Sequence, residues 1–215
     1  MKILIKSKED KSKWKNQQQK TTTDKKTVLV ILPMTGNVAI WGDLFSKGVD
    51  YFNFKHENDM EDLMCSLSGN IMSLVYEDFA DKKTIPTEEC FDCAFSPYAC
   101  GLHKLISARN LTLPASTLTK GCYWNMFSSL SNMIYGPKIL PSKTSKDDCY
   151  YAMFNSCENL VESPEIYLTT INEGDTPCFN MFNGCSNLTE VPQLNTSNGT
   201  RFDYMFNSCS SLKIA

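Results

Sequence analysis

The feature that most constrains this chain is a tandem repeat that fills its last 126 residues. Four near copies of one motif follow a degenerate first copy, CFDCAFSPY; they read CYWNMFSSL, CYYAMFNSC, CFNMFNGC and RFDYMFNSC. A repeat unit of about 20 to 50 residues is too small to bury its own apolar face, so it has to stack on its neighbours. The repeat therefore predicts a solenoid, in which units pile along one axis.

One Phe per copy fixes the register of the repeat. These anchor residues lie 32, 27, 28 and 24 residues apart; they are Phe95, Phe127, Phe154, Phe182 and Phe206. Two columns of cysteine accompany them, five residues before the anchor and three residues after it; their members are Cys90, Cys122 and Cys149, and Cys157, Cys185 and Cys209.

Helical spacing places part of each copy on one face. At about 100° per residue, one apolar arc contains Cys149, Tyr150, Met153, Phe154 and Cys157, whereas the side chains of residues 151 and 152 point elsewhere. The segment that follows each motif, such as 188–194, has no helical stripe and ends near a Pro. Each coil is therefore predicted to be a short helix followed by a short strand, which is an α/β architecture.

Residues 27–80 hold a weaker self-similarity. GNVAIWGDLF at 36–45 and GNIMSLVYEDF at 69–79 each place a Gly-Asn turn signal before an apolar run, in which Ile71 and Leu74 are expected to be strand core. Solenoids need terminal units that cover the apolar end of the first coil. The predicted domains are a basic N-terminal arm (1–26), a β-rich capping region (27–80) and the repeats (81–215).

Charge is distributed unevenly along the chain. Residues 1–26 contain nine Lys and three acidic residues, a local charge of +6, and the remaining 12 basic and 21 acidic residues give −9, for a total of −3. A basic arm can bind an acidic partner, but the acidic body argues against general nucleic-acid binding.

The chain shows neither a membrane span nor a secretory signal. Its longest apolar stretch, residues 28–32, is far shorter than the roughly 20 residues of a membrane helix, and residues 3–5 are too few for a signal core. The chain is thus expected to be cytoplasmic during synthesis and to reach a cell surface or a virion by another route.

The repeat also supports a family resemblance. The pattern C-[YF]-x-x-M-F-x-x-C-x-x-L-x-x-x-P, the linker LTLPASTLTKGCYWNMF at 111–127 and the lead-in at 69–91 resemble the BspA-type leucine-rich repeat proteins of gut Bacteroidetes and their phages. The resemblance covers roughly residues 69–215. It implies a leucine-rich-repeat-like solenoid with surface or virion display, which binds a host or cell-surface protein or glycan and has no enzymatic activity.

The cysteines allow three interpretations. Recurrence at fixed repeat positions favours a buried ladder of free thiols, since free Cys is among the most buried residue types. Disulfides between the columns are the alternative for an exported protein. The third interpretation is a zinc site, because two-residue gaps suit tetrahedral coordination; its ligands are Cys90, Cys93, Cys100 and His103. The favoured interpretation includes no metal and no cofactor.

Catalysis has little support in the sequence. The chain has only two His residues and lacks a Gly-rich phosphate loop, an HExxH motif and a GxSxG motif. The better candidates for a functional site are the outward-facing aromatics Trp124, Tyr151 and Tyr204, which are expected either to contact a ligand or to pack against a neighbouring coil.

The sequence therefore predicts a non-enzymatic module for recognition or adhesion. The alternative hypothesis is a structural virion or phage tail protein, which docks on other subunits through its N-terminal arm and its uncapped C-terminal coil.

Overall fold

The structure is a computed structural model. It describes residues 64–76, 78–100, 102–194 and 201–213, together with the backbone of five earlier strands. The strands are β1 (Ile3–Ser7), β2 (Lys20–Thr21), β3 (Thr27–Leu32), β4 (Asn37–Ile40), β5 (Tyr51–His56), β6 (Cys65–Asn70), β7 (Leu105–Thr112), β8 (Ile139–Leu140) and β9 (Glu165–Ile166). Most of the basic arm, and all side chains up to residue 63, lie outside the described residues.

The strands form three small sheets. In the largest sheet the order is β4-β1-β6-β7, with β1 antiparallel to both of its neighbours and β6 parallel to β7. The second sheet has the order β2-β3-β5, and β8 pairs with β9 in parallel. Because β7 belongs to the first repeat, the β6–β7 pair joins residues of the predicted cap to the repeats.

One part of the predicted cap has a different local structure. Ile71 and Leu74 are buried, as expected, but they lie in a 3-10 helix that spans Ile71–Leu74. The Asn70 side chain accepts a hydrogen bond from the Met72 N–H at 2.9 Å, which caps this helix. The prediction of a strand was therefore wrong here, because the Asn of the Gly-Asn pair starts a helix.

Among the described residues, the motifs of the repeats do not form the predicted helices either. The motif of each copy forms a chain of turns; the five turn segments are 88–95, 120–129, 147–156, 177–184 and 203–208. In the middle segment Asp148, Ala152 and Ser156 have φ of 55°, 48° and 59°. Left-handed backbone at every fourth residue cannot belong to a right-handed α-helix. A four-residue α-helix, α1 (Pro97–Cys100), lies directly after the first turn segment.

Two alternating sets of hydrogen bonds hold each turn segment. In segment 147–156 every second N–H donates to the next unit at 2.7–2.9 Å, from Tyr150, Ala152, Phe154 and Ser156 to the carbonyls of Pro177, Phe179, Met181 and Asn183. The N–H groups between them donate to the carbonyl three residues earlier. A helix would direct all of these N–H groups along its own axis. The turns instead use half of them to join one repeat unit to the next.

The apolar arc of each motif does face inward. Tyr150, Met153, Phe154 and Cys157 are all 0% exposed, so their predicted burial is confirmed. Ala152 was expected to point elsewhere and is buried as well. The anchor rings stack with their centroids 5.5–5.7 Å apart, in the order Phe95, Phe127, Phe154, Phe182 and Phe206. We call this stack the anchor column.

Parallel backbone pairing recurs on the other sides of the repeats. Ser107 bridges to Tyr135, and Tyr135 bridges to Glu162, always in parallel. Thr84 bridges to Thr117 in the same way, so neighbouring repeats also run side by side at a second place. The extended segments predicted after the motifs are represented by β7, which is eight residues long, and by β8 and β9, which are two residues long.

Candidate recognition surfaces

The second cysteine column serves the interior of the repeats. The thiols of Cys157 and Cys185 donate to the carbonyl oxygens of Phe127 and Phe154 at 3.1 Å, and the Cys209 thiol donates to that of Phe182 at 3.0 Å. Every donor thus reaches back to the anchor Phe of the preceding unit. These thiols link adjacent units through the core.

Burial keeps the cysteine thiols protonated. Desolvation raises the pKa of Cys157 and of Cys178 from the ordinary value of 9.0 to about 12, and it raises the pKa of Cys149 well above that ordinary value. All cysteines whose side chains the structure describes are free thiols. A protonated, buried thiol is a poor nucleophile and a poor metal ligand, so these columns are structural.

The residues of the zinc hypothesis do not form a metal centre among the described residues. The Cys90 thiol is buried and its pKa is raised to about 12 by desolvation, whereas His103 lies exposed at the surface. The side chain of Cys100 lies outside the described residues. Elsewhere in the described part of the chain, no cluster of three or more His, Cys, Asp or Glu side chains is placed to hold a metal ion.

The predicted surface aromatics lie in one row along the repeats. Trp124 packs on Tyr151 with ring centroids 5.0 Å apart, and Tyr151 stacks on Phe179 at the same distance with an angle of 9° between the rings. Phe179 then meets the edge of Tyr204 at 5.8 Å. We call Trp124, Tyr151, Phe179 and Tyr204 the aromatic row. The sequence analysis missed Phe179, although it stands three residues before its anchor, as Trp124 and Tyr151 do.

Most ring faces of the aromatic row are covered by neighbouring rings. The indole nitrogen of Trp124 is buried, so its polar edge does not face solvent. Tyr204 differs from the other three because it is 64% exposed. A ligand therefore meets ring edges along most of the row and an open aromatic side chain only at Tyr204.

A groove of about 570 Å³ lies on another side of the repeats. Two rows of side chains line it, each with one residue per unit. The aliphatic row is Ile106, Ile134 and Val161, and the amide row is Asn132, Asn159 and Asn187. Met64 and Lys104 complete the lining. We call this site the amide groove.

The backbone positions the aliphatic row. The N–H of Ile134 donates to the carbonyl of Ile106 at 2.8 Å, and the N–H of Val161 donates to that of Ile134 at 3.2 Å. These bonds bring residues 28 and 27 positions apart in sequence to adjacent places in the groove. All three side chains are partly exposed, so the row is available for contact.

Hydrogen bonds between the units fix the amide row. The Nδ2 atom of Asn132 donates to the carbonyl of His103 at 3.3 Å, and that of Asn159 donates to the carbonyl of Ser131 at 2.9 Å. Asn187 donates to the side-chain oxygen of Asn159 at 2.8 Å. An amide has two N–H groups and an oxygen with two lone pairs. After these contacts, each Asn still has the capacity to donate and to accept one further hydrogen bond.

Among the described residues, one charged side chain, Lys104, lines the amide groove. Glu162, the next residue after Val161, forms an ion pair with Arg109 at 3.0 Å, and the guanidinium carbon of Arg109 lies 4.5 Å from the centre of the Tyr135 ring. The sequence does contain a signal for the groove, because an Asn stands five residues after each of three anchors. The sequence analysis did not use this recurrence.

Comparisons with protein-family models, with curated proteins and with solved structures gave no match. In the part of the chain that the structure describes, no helix combines the length and the hydrophobicity that crossing a membrane requires.

Proposed function

We propose that this chain is a non-enzymatic recognition module, built as a leucine-rich-repeat-like solenoid of the BspA type, which binds a ligand on a host or cell surface. The observation that carries the proposal is the amide groove, which extends over successive repeat units. A groove of this volume that combines an apolar floor with a few placed polar groups is typical of binding sites. The surface it offers is elongated, so it suits a ligand that reaches across several units.

The contrast between the constant and the varying positions supports the same function. The anchor position keeps Phe in every unit, whereas the position seven residues after it changes from Ile134 to Val161 and then to Thr189. Repeat proteins use a uniform interior as a scaffold and place specificity on outer side chains. We therefore assign recognition to the outer rows.

A charge placed on the groove floor tests the proposal. We expect Ile134→Asp to weaken binding of the labelled full chain to a panel of bacterial and epithelial cells at least tenfold, since the carboxylate is desolvated under a ligand. The matched control is Ile139→Asp, because Ile139 is 44% exposed and does not line the groove. Melting temperatures of both variants show whether the fold is retained.

The comparison of these two variants decides the outcome. Equal cell binding by Ile134→Asp, Ile139→Asp and the unmodified chain would remove the groove as the recognition surface. If the unmodified chain instead co-sediments with virion or tail subunits and binds no cell, the assembly hypothesis replaces recognition.

The aromatic row is the second surface that we propose for ligand contact. Its exposed edges, and above all Tyr204, offer the aromatic groups that protein interfaces favour. Replacing Trp124 and Tyr151 together by Ala tests this role. Weaker cell binding by a double variant that is still folded at the assay temperature supports it, whereas a lower melting temperature with unchanged binding shows that the two rings only support the fold.

A further inference from the structure

We propose that the amide groove binds a neutral polysaccharide, with about one sugar unit for each repeat unit that it crosses. The inference rests on the proposed recognition function and adds the chemical class of the ligand. Three features of the groove carry it, namely its period, the chemistry of its two rows and its charge.

The period of the groove argues against an extended peptide. Backbones that pair in a parallel ladder are about 4.8 Å apart, so the side chains of each row repeat at about that interval. An extended peptide rises about 3.3 Å per residue and presents the same face every second residue, at about 6.6 Å. An extended peptide therefore does not keep in step with a polar and an apolar contact in every unit, whereas a pyranose ring has about the length of one unit.

The two rows match the two surfaces of a sugar ring. The C–H groups of a pyranose form an apolar face that can lie on Ile106, Ile134 and Val161. Its hydroxyl groups lie at the ring edge, where each one donates and accepts hydrogen bonds. An Asn side chain offers the complementary donor and acceptor, and the amide row supplies one in each of three consecutive units.

The charge of the groove favours a neutral chain. Both rows are uncharged, and Lys104 is the only ionisable side chain among the described lining residues. A sulfated or carboxylated polymer, which has a charge on many of its units, would meet no row of cations here.

The test uses the full chain and immobilised polysaccharides. The neutral probes are α-mannan, dextran and xylan, and dextran sulfate is the charged counterpart of dextran. We expect the chain to bind at least one neutral polymer, with no loss of binding between low and physiological salt because no ion pairs form. Oligosaccharides of that polymer should bind more tightly with each added unit up to about four units, and no further.

Two variants connect this binding to the groove. Asn159→Ala and Ile134→Asp should each weaken it at least tenfold. Asn110→Ala is the matched control, because Asn110 is an exposed Asn of β7 that does not line the groove. Binding of no neutral polymer, a preference for dextran sulfate that salt removes, or full binding by Asn159→Ala would each overturn the inference.

Cell binding separates this inference from the proposed function. Periodate cleaves the vicinal diols of glycans, and trypsin removes exposed protein. If groove-dependent cell binding is lost after trypsin and survives periodate, the ligand is a protein. That result would support the recognition function and would contradict the polysaccharide ligand. If Ile134→Asp binds cells as well as the unmodified chain does, the recognition function falls first.

Discussion

Among the stacks of aromatic rings that run along the repeats, the anchor column and the aromatic row differ in what surrounds them. The anchor column repeats one residue type, its rings lie 5.5–5.7 Å apart, and four of its five members are almost fully buried. The aromatic row has similar spacings of 5.0–5.8 Å, but it mixes Trp, Tyr and Phe, and its ring angles range from 9° to 66°.

This difference shows what each stack can contribute. Close packing on all sides makes the anchor position intolerant of change, because a protein interior is packed as densely as an organic crystal. Solvent on one side of the aromatic row lets a unit hold any flat side chain there. Aromatic recurrence alone therefore does not identify a ligand site, since the same spacing arises from stacking between units.

The largest difference in the free energy of unfolding is expected between the Ala variants of Phe154 and Tyr151. Phe154→Ala removes a fully buried ring with a neighbour on each side and should lower the free energy of unfolding by about 3–5 kcal/mol. Tyr151→Ala removes a partly exposed ring and should cost about 1–2 kcal/mol, mainly from two ring contacts. Urea denaturation measures both, and equal losses would contradict the division into a buried and an exposed stack.

The free energy of unfolding should depend on pH, because the thiols inside the repeats are buried. The Cys157 pKa is about 12 in the folded chain, against an ordinary value of 9.0, so the unfolded thiol ionises first. The stability from this thiol is complete below pH 9 and is lost as the pH rises from 9 towards 12. At pH 10 the loss is about 1.4 kcal/mol for such a thiol.

The control for this prediction is Cys157→Ala. Between pH 8 and pH 10 the variant should lose about 1.4 kcal/mol less stability than the unmodified chain does. Parallel curves for the two proteins would show that this thiol ionises in the folded state as readily as in the unfolded state.

A smaller effect is expected where the backbone is left-handed. Gly184 and Ser156 both stand two residues after their anchors, with φ of 77° and 59°. Gly184→Ala should lower the free energy of unfolding by about 1 kcal/mol, since an added Cβ is strained there and lies 3.4 Å from the Ser156 Cα atom. Ser156→Gly, the reverse change, should be neutral or slightly stabilising, and a loss as large as that of Gly184→Ala would disprove the role of φ.

The smallest effect should come from the open end of the aromatic row. Tyr204 is 64% exposed and touches Phe179 only by an edge. Tyr204→Ala should change the free energy of unfolding by no more than about 0.5 kcal/mol. A loss comparable with that of Tyr151→Ala, measured in the same urea series, would place Tyr204 inside the packed structure.

The sequence predicted the interior of the repeats better than their backbone. Burial at Phe154 and Cys157 followed from recurrence, because a column that keeps its residue type over several units has to meet the same surroundings in each. The helix predicted for each motif was wrong. The spacing that brings Tyr150, Met153 and Phe154 to one side is shared by a helix and by these turns, and only left-handed residues such as Ala152 tell them apart. Ala has no preference for the left-handed conformation, so the local sequence did not indicate a turn at this position.

The candidate sites show the same limit. The positions of Trp124 and Tyr151 on a common row were accessible from the register, but the amide groove depends on which residues of separate units become neighbours. The side chains of Asn132 and Asn159 are held in the groove by hydrogen bonds to backbone atoms of the preceding units. Such contacts are set by the stacking of the units, and a motif read along the chain does not contain them.

The alternating hydrogen bonds of the turn segments give the stack a direction. Segment 147–156 offers N–H groups to the unit after it, while its carbonyls accept from the unit before it, as the bond from Phe127 to Met153 illustrates. A unit copied in the same orientation meets donors on one side and acceptors on the other, whereas an inverted copy would set like groups against each other. Duplication in register is thus a route by which such a chain can lengthen without redesigning its core.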